Sequence, residues 1–206
     1  MTVFQFIVLA TALWFAATPA KALDLAGTVG TLRGSAVATG ANGFDRRLQP
    51  GSTILVGDKV ATGADSRLLL VMNDGARLTV GDDAAITIAV YDIDESSGDA
   101  VLALDQGALL VASGSIARLG PDRFTVSTPM GALDIREAEV WVELFPGRLV
   151  LMLLSGSGFS VATPQGSVDL NQPQTGIDIV SGEPPRQPAR MDTARLEDAR
   201  RAVALE

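Results

Sequence analysis

Short apolar runs separated by glycine-containing turns recur along most of the chain, and residues 48–81 are the clearest example. Residues 68–72 are all apolar, which fits a strand that is buried on both faces. The next three residues, Asn73-Asp74-Gly75, are predicted to form a three-residue loop with Gly75 in the left-handed conformation. Such a loop puts the apolar residues of the two strands on one face. It would pair Leu68 with Val80, Leu70 with Leu78 and Met72 with Ala76.

The same pattern predicts more short strands on both sides of this unit. Residues 85–91 alternate between apolar and polar positions, as expected of a half-buried strand. Later apolar runs are joined in pairs by turns that contain glycine or proline. The predicted strand pairs are 101–104 with 108–111 around a turn at 105–107, 124–127 with 132–135, 140–144 with 148–154, and 158–161 with 167–170.

Two similar nine-residue segments in the second half of the chain suggest a repeating architecture. Residues 127–135 read STPMGALDI and residues 162–170 read ATPQGSVDL, each with a Thr-Pro-x-Gly turn between two short strands. Repeats of this kind are typical of stacked hairpins that share one core, although the same turn type can also occur twice by chance. The predicted fold class is all-β, a solenoid-like stack of β-hairpins and short strands, with a short C-terminal helix.

The first 22 residues have the pattern of a signal peptide. An apolar run at residues 3–17 is followed by Ala20-Lys21-Ala22, a small-x-small cleavage site. Cleavage after Ala22 would make the protein periplasmic or secreted, with no integral membrane segment in the mature chain. The alternative is an uncleaved anchor, because no Lys or Arg precedes the apolar run, which is only slightly short for a spanning helix.

The remaining chain is divided by composition into three parts. Residues 23–180 are predicted to be the β domain, residues 181–190 a proline-rich linker, and residues 191–206 a C-terminal helix. Leu196, Ala199 and Val203 share one face of that helix, and Asp192 is a suitable cap. Either the segment is a frayed tail, or the helix docks on the sheet or on a partner.

Composition excludes several kinds of site. The chain has no Cys, so it has no disulfide and no thiolate metal site. It also has no His, which is the commonest general base in enzymes. Its net charge of −8 opposes binding to nucleic acid. No glycine cluster opens a predicted helix, so a nucleotide site is not indicated. We therefore expect no cofactor, no metal and no nucleic-acid partner.

One strand carries the best candidate for a binding surface. Because residues two apart share a face of a strand, the side chains of Glu137, Glu139, Trp141 and Glu143 can lie together as a sugar-binding stripe. Paired carboxylates in such a stripe could also hydrolyse a glycosidic bond. Simple alternation explains the same pattern as a solvated strand face, since the intervening residues are apolar.

An acidic loop at residues 92–99 has a partial likeness to a calcium loop. Asp92, Asp94 and Ser96 have the right spacing, but Gly98 comes one position too late and no Glu stands at position twelve. A solvated loop is the expectation there.

Several short motifs occur in an order and spacing that, taken together, are more specific than any of them alone. They are Leu48-x-x-Gly51, Gly57-Asp58-x-Val60-x-Thr62-Gly63, Ser66-Arg67, Asp74-Gly75-x-x-Leu78, Leu104-x-x-Gly107, Thr128-Pro129 and Leu154-Ser155-Gly156. With this set, residues 27–178 resemble the periplasmic domain of FecR-type regulators. The resemblance implies an all-β, solenoid-like periplasmic domain. In signalling members of that family, the domain senses an outer-membrane transporter and relays the signal to a sigma factor.

Two departures from the family pattern shape the functional prediction. Signalling members begin with a cytoplasmic segment and a spanning helix, where this chain has the predicted signal peptide. Where many members have Arg-Gly-Thr, this chain has Arg136-Glu137-Ala138-Glu139. The resemblance thus implies a free-standing exported version of the domain.

The functional prediction is a non-enzymatic binding or signalling module in the cell envelope, with an envelope protein or cell-wall polymer as its partner. One alternative is a structural, peptidoglycan-associated envelope protein. Another is a secreted glycoside hydrolase that uses the Glu139 region. The oligomeric state stays open.

Overall fold

A computed structural model describes residues 24–94 and 96–202 of the chain, so the predicted signal peptide lies outside the described residues. The strands are β1 (Leu25–Arg33), β2 (Ala36–Thr39), β3 (Asp45–Arg47), β4 (Thr53–Leu55), β5 (Lys59–Thr62), β6 (Arg67–Met72), β7 (Arg77–Val80), β8 (Ala85–Ile93), β9 (Gly98–Ala112), β10 (Phe124–Thr128), β11 (Gly131–Phe145), β12 (Arg148–Thr163), β13 (Gly166–Leu170), β14 (Thr175–Val180) and β15 (Ala189–Arg190). A short 3-10 helix (Ile116–Arg118) follows β9, and the helix α1 (Thr193–Ala202) follows β15. Among the described residues, no helix is long and apolar enough to span a membrane.

Three long strands, β9, β11 and β12, organise the fold, with 15, 15 and 16 residues. Each takes part in two sets of strand pairings, one before and one after a bend in the strand. These two sets of paired strands define the two halves of the molecule. In the first half of the molecule, the order of neighbours is β3-β2-β5-β8-β9-β10-β11-β12-β13. In the second half it is β4-β1-β6-β7-β9-β11-β12-β14-β15. The sheet is open rather than closed on itself.

The backbone of each long strand departs from extended geometry where it passes between the two halves. Gly107 in β9, Glu137 in β11 and Gly156 in β12 have φ values of +79°, +32° and +95°. The predicted hairpin around residues 105–107 is therefore wrong. These residues lie inside the continuous strand β9, which pairs with β8 before Gly107 and with β7 after it.

The loop between β6 and β7 has the predicted length. Leu68 pairs with Val80 and Leu70 with Leu78. The Met72 N–H donates to the Ala76 carbonyl at 2.9 Å, and Gly75 has a φ of +86°. The prediction of a three-residue loop is confirmed, because only this register puts the apolar residues of both strands on one face.

Both halves of the molecule bury side chains in one continuous core. Leu102, Val126 and Val161 come from the first half, and Val140 and Leu151 from the second; all five are fully buried. The structure confirms an all-β fold with one short helix. The solenoid-like stacking of hairpins stays a prediction.

A buried carboxylate, that of Asp74, holds three chain segments together. Its oxygens accept hydrogen bonds from the Ala76 N–H at 2.8 Å, the Tyr91 hydroxyl at 2.5 Å and the Ile116 N–H at 3.2 Å. These donors belong to the β6–β7 loop, to β8 and to the 3-10 helix. Burial, followed by the hydrogen bond and the charge of Asp74, raises the pKa of Tyr91 well above its usual range.

The two similar segments, residues 127–135 and 162–170, form turns with the same hydrogen bonds. The hydroxyl of Thr128 donates to the Gly131 carbonyl at 2.9 Å and accepts from the Met130 N–H at 3.2 Å. Thr163 does the same with the Gly166 carbonyl and the Gln165 N–H, at the same two distances. Because β11 and β12 pair directly, the two hairpins lie side by side in one sheet.

Candidate functional site

The predicted stripe lies on β11, and the structure divides it into two pairs. Glu137 and Glu139 line a shallow groove of 440 Å³ next to Ser155. Trp141 and Glu143 line a different groove of 300 Å³. The division falls between Glu139 and Trp141, where the pairing of β11 with β12 shifts register between Glu139 and Val140. Glu137 stands farther back, at the bend of β11, with a positive φ.

Trp141 is covered by the chain's own C-terminal segment. Its side chain is 1% exposed and packs in a second apolar cluster on the outer face of the sheet, outside the main core. This outer cluster consists of Ala108, Trp141, Met152, Met191 and Ala199, with Leu110, Leu154 and Leu196 at its margin. Of the two alternatives for the C-terminal segment, the structure shows the docked helix, because α1 lies on the sheet.

The indole N–H of Trp141 is buried without a hydrogen-bond acceptor in bonding geometry. The carboxylate of Glu143 lies nearby, at a half-buried position. Burial raises the pKa of Glu143, and the Trp141 N–H and the Arg148 guanidinium oppose that shift only in part. For the predicted stripe to present its aromatic ring to a sugar, α1 would have to leave the sheet. Sugar binding by the stripe therefore stays a prediction.

Beside α1 lies a second groove of 380 Å³, which we call the arginine groove. One wall is β14, and the other is the segment that returns from β14 through the proline-rich linker to β15. Its lining residues are Arg148, Gly176, Ile177, Asp178, Val180, Arg186, Gln187, Ala189, Arg190, Met191, Asp192 and Arg195.

The four arginines of this groove differ in their partners. Arg186 pairs with Glu183 at 2.9 Å, and Arg195 pairs with Asp178 at 2.9 Å. The guanidinium carbon of Arg148 lies 4.7 Å from the centre of the Phe145 ring, which is a cation–π contact. Arg148 and Arg190 make no salt bridge with any residue that the structure describes.

A third groove, which the sequence did not indicate, lies between the β2–β3 loop and β4. It has a volume of 500 Å³ and is lined by Ala41, Leu55 and Val56 among others. Phe44 stands at its margin with 73% of its surface exposed. Below it, the buried carboxylate of Asp58 accepts from the Leu55 N–H at 2.8 Å and pairs with Arg46. The only sequence signal was an aromatic residue in an otherwise polar turn.

Acidic side chains of the described residues were the candidates for a metal site and for a catalytic carboxylate pair. No group of three or more acidic side chains converges as a metal site within residues 24–94 and 96–202. The acidic loop between β8 and β9 includes Glu95, which lies outside the described residues. Glu139 and Glu143 share a strand face but are four residues apart, which corresponds to about 13 Å along the backbone. Catalytic carboxyl pairs in most glycosidases are about 5–9.5 Å apart.

Comparison with known proteins finds a match to one family model and a similar fold. Residues 58–159 match the family described as FecR protein. Two crystal structures of a candidate anti-sigma factor from Parabacteroides distasonis are similar in fold, at 12% and 13% sequence identity and a TM-score of 0.55 each. Each similarity covers 68% of this chain and 62% of the other, so this chain spans less than two thirds of those proteins. No curated protein matches the chain.

Proposed function

We propose that this chain is a non-enzymatic binding or signalling module of the cell envelope, because residues 58–159 match the family described as FecR protein. The family match is the observation that carries the proposal. Further support comes from the fold, which is similar to that of a candidate anti-sigma factor. On this proposal, the domain acts by binding a partner protein.

The proposed location rests on the sequence of the first 22 residues. Their signal-peptide pattern would deliver the β domain to the periplasm or the exterior. There the solenoid-like arrangement of the family would expose sheet edges to partners, since unpaired backbone groups can accept an added strand.

The hydrolase alternative has less support from the site. Trp141 is covered by α1, and the strand spacing separates Glu139 from Glu143. If Glu139→Gln and Glu143→Gln leave every phenotype of the protein intact, the hydrolase idea is excluded.

In-cell crosslinking followed by purification of the protein tests the proposed function. A discrete crosslinked protein is the expected result. Sedimentation of the protein with cell-wall sacculi, without a protein partner, would instead favour a structural, peptidoglycan-associated role. The mass of the mature protein from a periplasmic extract would establish whether the chain is cleaved after Ala22.

A further inference from the structure

The two sides of β14 are paired to very different extents. On one side, all six of its residues pair with β12, from Thr175 opposite Leu153 to Val180 opposite Arg148. On the other side, β15 pairs only with Thr175 and Gly176. Residues 177–180 thus have no strand partner on that side among the described residues. Such an edge presents backbone donors and acceptors to an incoming strand.

Charge around this edge is opposite to that of the whole chain. Four arginines and two aspartates line the arginine groove, whereas the chain as a whole has a net charge of −8. Arg190 has no salt bridge with a described residue, so its guanidinium can bind an added carboxylate without breaking an existing pair. Arg148 makes no salt bridge with a described residue either, although its charge acts on Glu143 and its guanidinium lies over the Phe145 ring. Both arginine side chains are exposed. The edge therefore attracts acidic segments and repels basic ones.

The arrangement of the charges favours a peptide over a compact anion. A phosphate site usually gathers donors around one point, whereas here the arginines accompany an open strand edge that supplies regularly spaced backbone groups. An extended peptide can bind to the strand edge and to the arginines at once, because its backbone pairs with β14 while its acidic side chains reach the arginines.

From these observations we infer that the edge of β14 binds an extended acidic segment of a partner protein, which adds to the sheet as a further strand. The inference rests on the proposed function, because it names the surface by which the module would bind its protein partner. Arg148 and Arg190 select the acidic segment, and residues 177–180 supply the backbone pairing, apart from the Val180 carbonyl, which accepts from the Glu183 N–H at 3.1 Å.

The first test uses a fluorescein-labelled eight-residue peptide of alternating Thr and Glu, titrated with the protein and followed by fluorescence anisotropy. Binding is expected, and it should be lost when Lys replaces Glu in the peptide. Arg148→Gln and Arg190→Gln should each weaken binding about tenfold, as expected for the loss of a charge-assisted contact. Arg47→Gln, at an exposed arginine of β3, is the matched control and should have no effect.

The second test separates strand addition from simple charge attraction and uses the unaltered protein. Two versions of the Thr-Glu peptide carry N-methyl groups, one at odd and one at even positions. A peptide strand pairs through the N–H groups of alternate residues, so one version should bind and the other should not. Equal binding of both versions, or full competition by polyphosphate of the same total charge, would overturn the inference. Equal binding of the Lys peptide would overturn it too.

The third test distinguishes failure of this surface from failure of the proposed function. A photo-crosslinking amino acid is placed at Val180, which is 37% exposed, or at Arg47 as the distant control. Capture of one protein from Val180, lost in the Arg148→Gln/Arg190→Gln double variant, is the expected result. If the double variant still captures the partner, the surface is wrong and the proposed function stands. If no position captures a discrete protein, the proposed function itself fails.

Discussion

At the scale of single residues, Asp74 joins more of the chain than any other polar group described above. It was predicted as a turn residue because Asn-Asp-Gly is a common loop sequence, and the loop is as predicted. Its burial was not predictable, because the donors from Tyr91 and Ile116 lie 17 and 42 residues away. Local patterns indicate a turn, but they carry no information about which distant segments pack over it.

Replacing Asp74 with Asn should destabilise the protein by about 2–4 kcal/mol. The amide turns one acceptor into a donor that faces other donors, so buried hydrogen bonds are lost. Tyr91→Phe, which removes one of those donors, should cost about 1 kcal/mol. Urea unfolding followed by circular dichroism measures both effects.

The matched control for Asp74 is Asp169→Asn, whose partner Arg136 is at 3.4 Å on the surface. Exposed pairs of this kind contribute little, so a change of less than about 1 kcal/mol is expected there. A similar cost at Asp74 and Asp169 would show that the buried network does not stabilise the fold.

Glu143 should make the stability of the protein depend on pH. Because burial raises its pKa, the folded protein binds a proton there more tightly than the unfolded chain does. Ionisation therefore costs stability as the pH rises from the usual glutamate pKa through the folded one. Glu143→Gln should be more stable than the wild type at pH 7, and the difference should vanish below about pH 4.

Urea unfolding at a series of pH values tests the role of Glu143. Glu197→Gln, at an exposed position of α1, controls for the loss of one negative charge. A stability difference between Glu143→Gln and the wild type that is the same at pH 4 and pH 7 would contradict the prediction.

At the scale of elements, the bends in the long strands explain why the sequence predicted too many hairpins. A glycine between two apolar runs is typical of a tight turn, and this pattern predicts a hairpin turn at residues 105–107. Residues 132–135 and 140–144 were likewise predicted as separate strands but lie in one, β11. A bend inside a strand and a turn between strands require the same local conformations, so only long-range pairing distinguishes them.

Gly156→Ala should be severely destabilising, by about 3 kcal/mol or more. At this bend of β12, φ is +95°, and an added Cβ would lie 2.2 Å from the Glu137 carbonyl oxygen. Gly147→Ala is the control, because φ is +73° there as well but no atom lies within 4 Å of the added Cβ. It should cost only about 1–2 kcal/mol. Equal losses of thermal stability in the two variants would contradict the role of close packing at the bend.

The docking of α1 can be followed through Trp141, the single tryptophan of the described residues. In protein expressed from residue 24, Ala199→Asp should place an unpaired charge in the outer cluster and detach the helix. We expect the emission of Trp141 to shift to longer wavelength, because the indole becomes exposed to water. Glu197→Ala, at an exposed position, should leave the spectrum unchanged. An unshifted spectrum in Ala199→Asp would show that the indole is protected without α1.

At the scale of the whole molecule, the shared core predicts one cooperative unfolding transition. Leu102 and Leu151 lie in different halves but belong to the same buried cluster. Replacing either with Ala should lower the free energy of unfolding by about 2–5 kcal/mol, with circular dichroism and tryptophan emission changing together. In a solenoid, where each repeat contacts only its neighbours, truncation in one half could unfold that half alone. A second transition in either variant would therefore favour the solenoid-like arrangement.

The sequence allowed the fold class to be predicted because alternation and turns are local properties. It did not reveal the arginine groove, whose members come from residues 148–195 and are brought together only by the pairing of β12 with β14. It indicated Trp141 as a candidate binding residue, yet the covering helix begins 52 residues later. The net charge of −8 also gives no indication of the excess of arginines over aspartates in the arginine groove.

The three bent strands have a mechanical consequence. Two sheets held together only by side-chain packing can slide past each other under load, because no covalent bond resists the motion. Here three continuous backbones run through both halves, so sliding would require them to stretch or to break their ladders of hydrogen bonds. A force applied at β14 would be transmitted to the other half with little deformation, so the domain would respond to force at its edge as a rigid body.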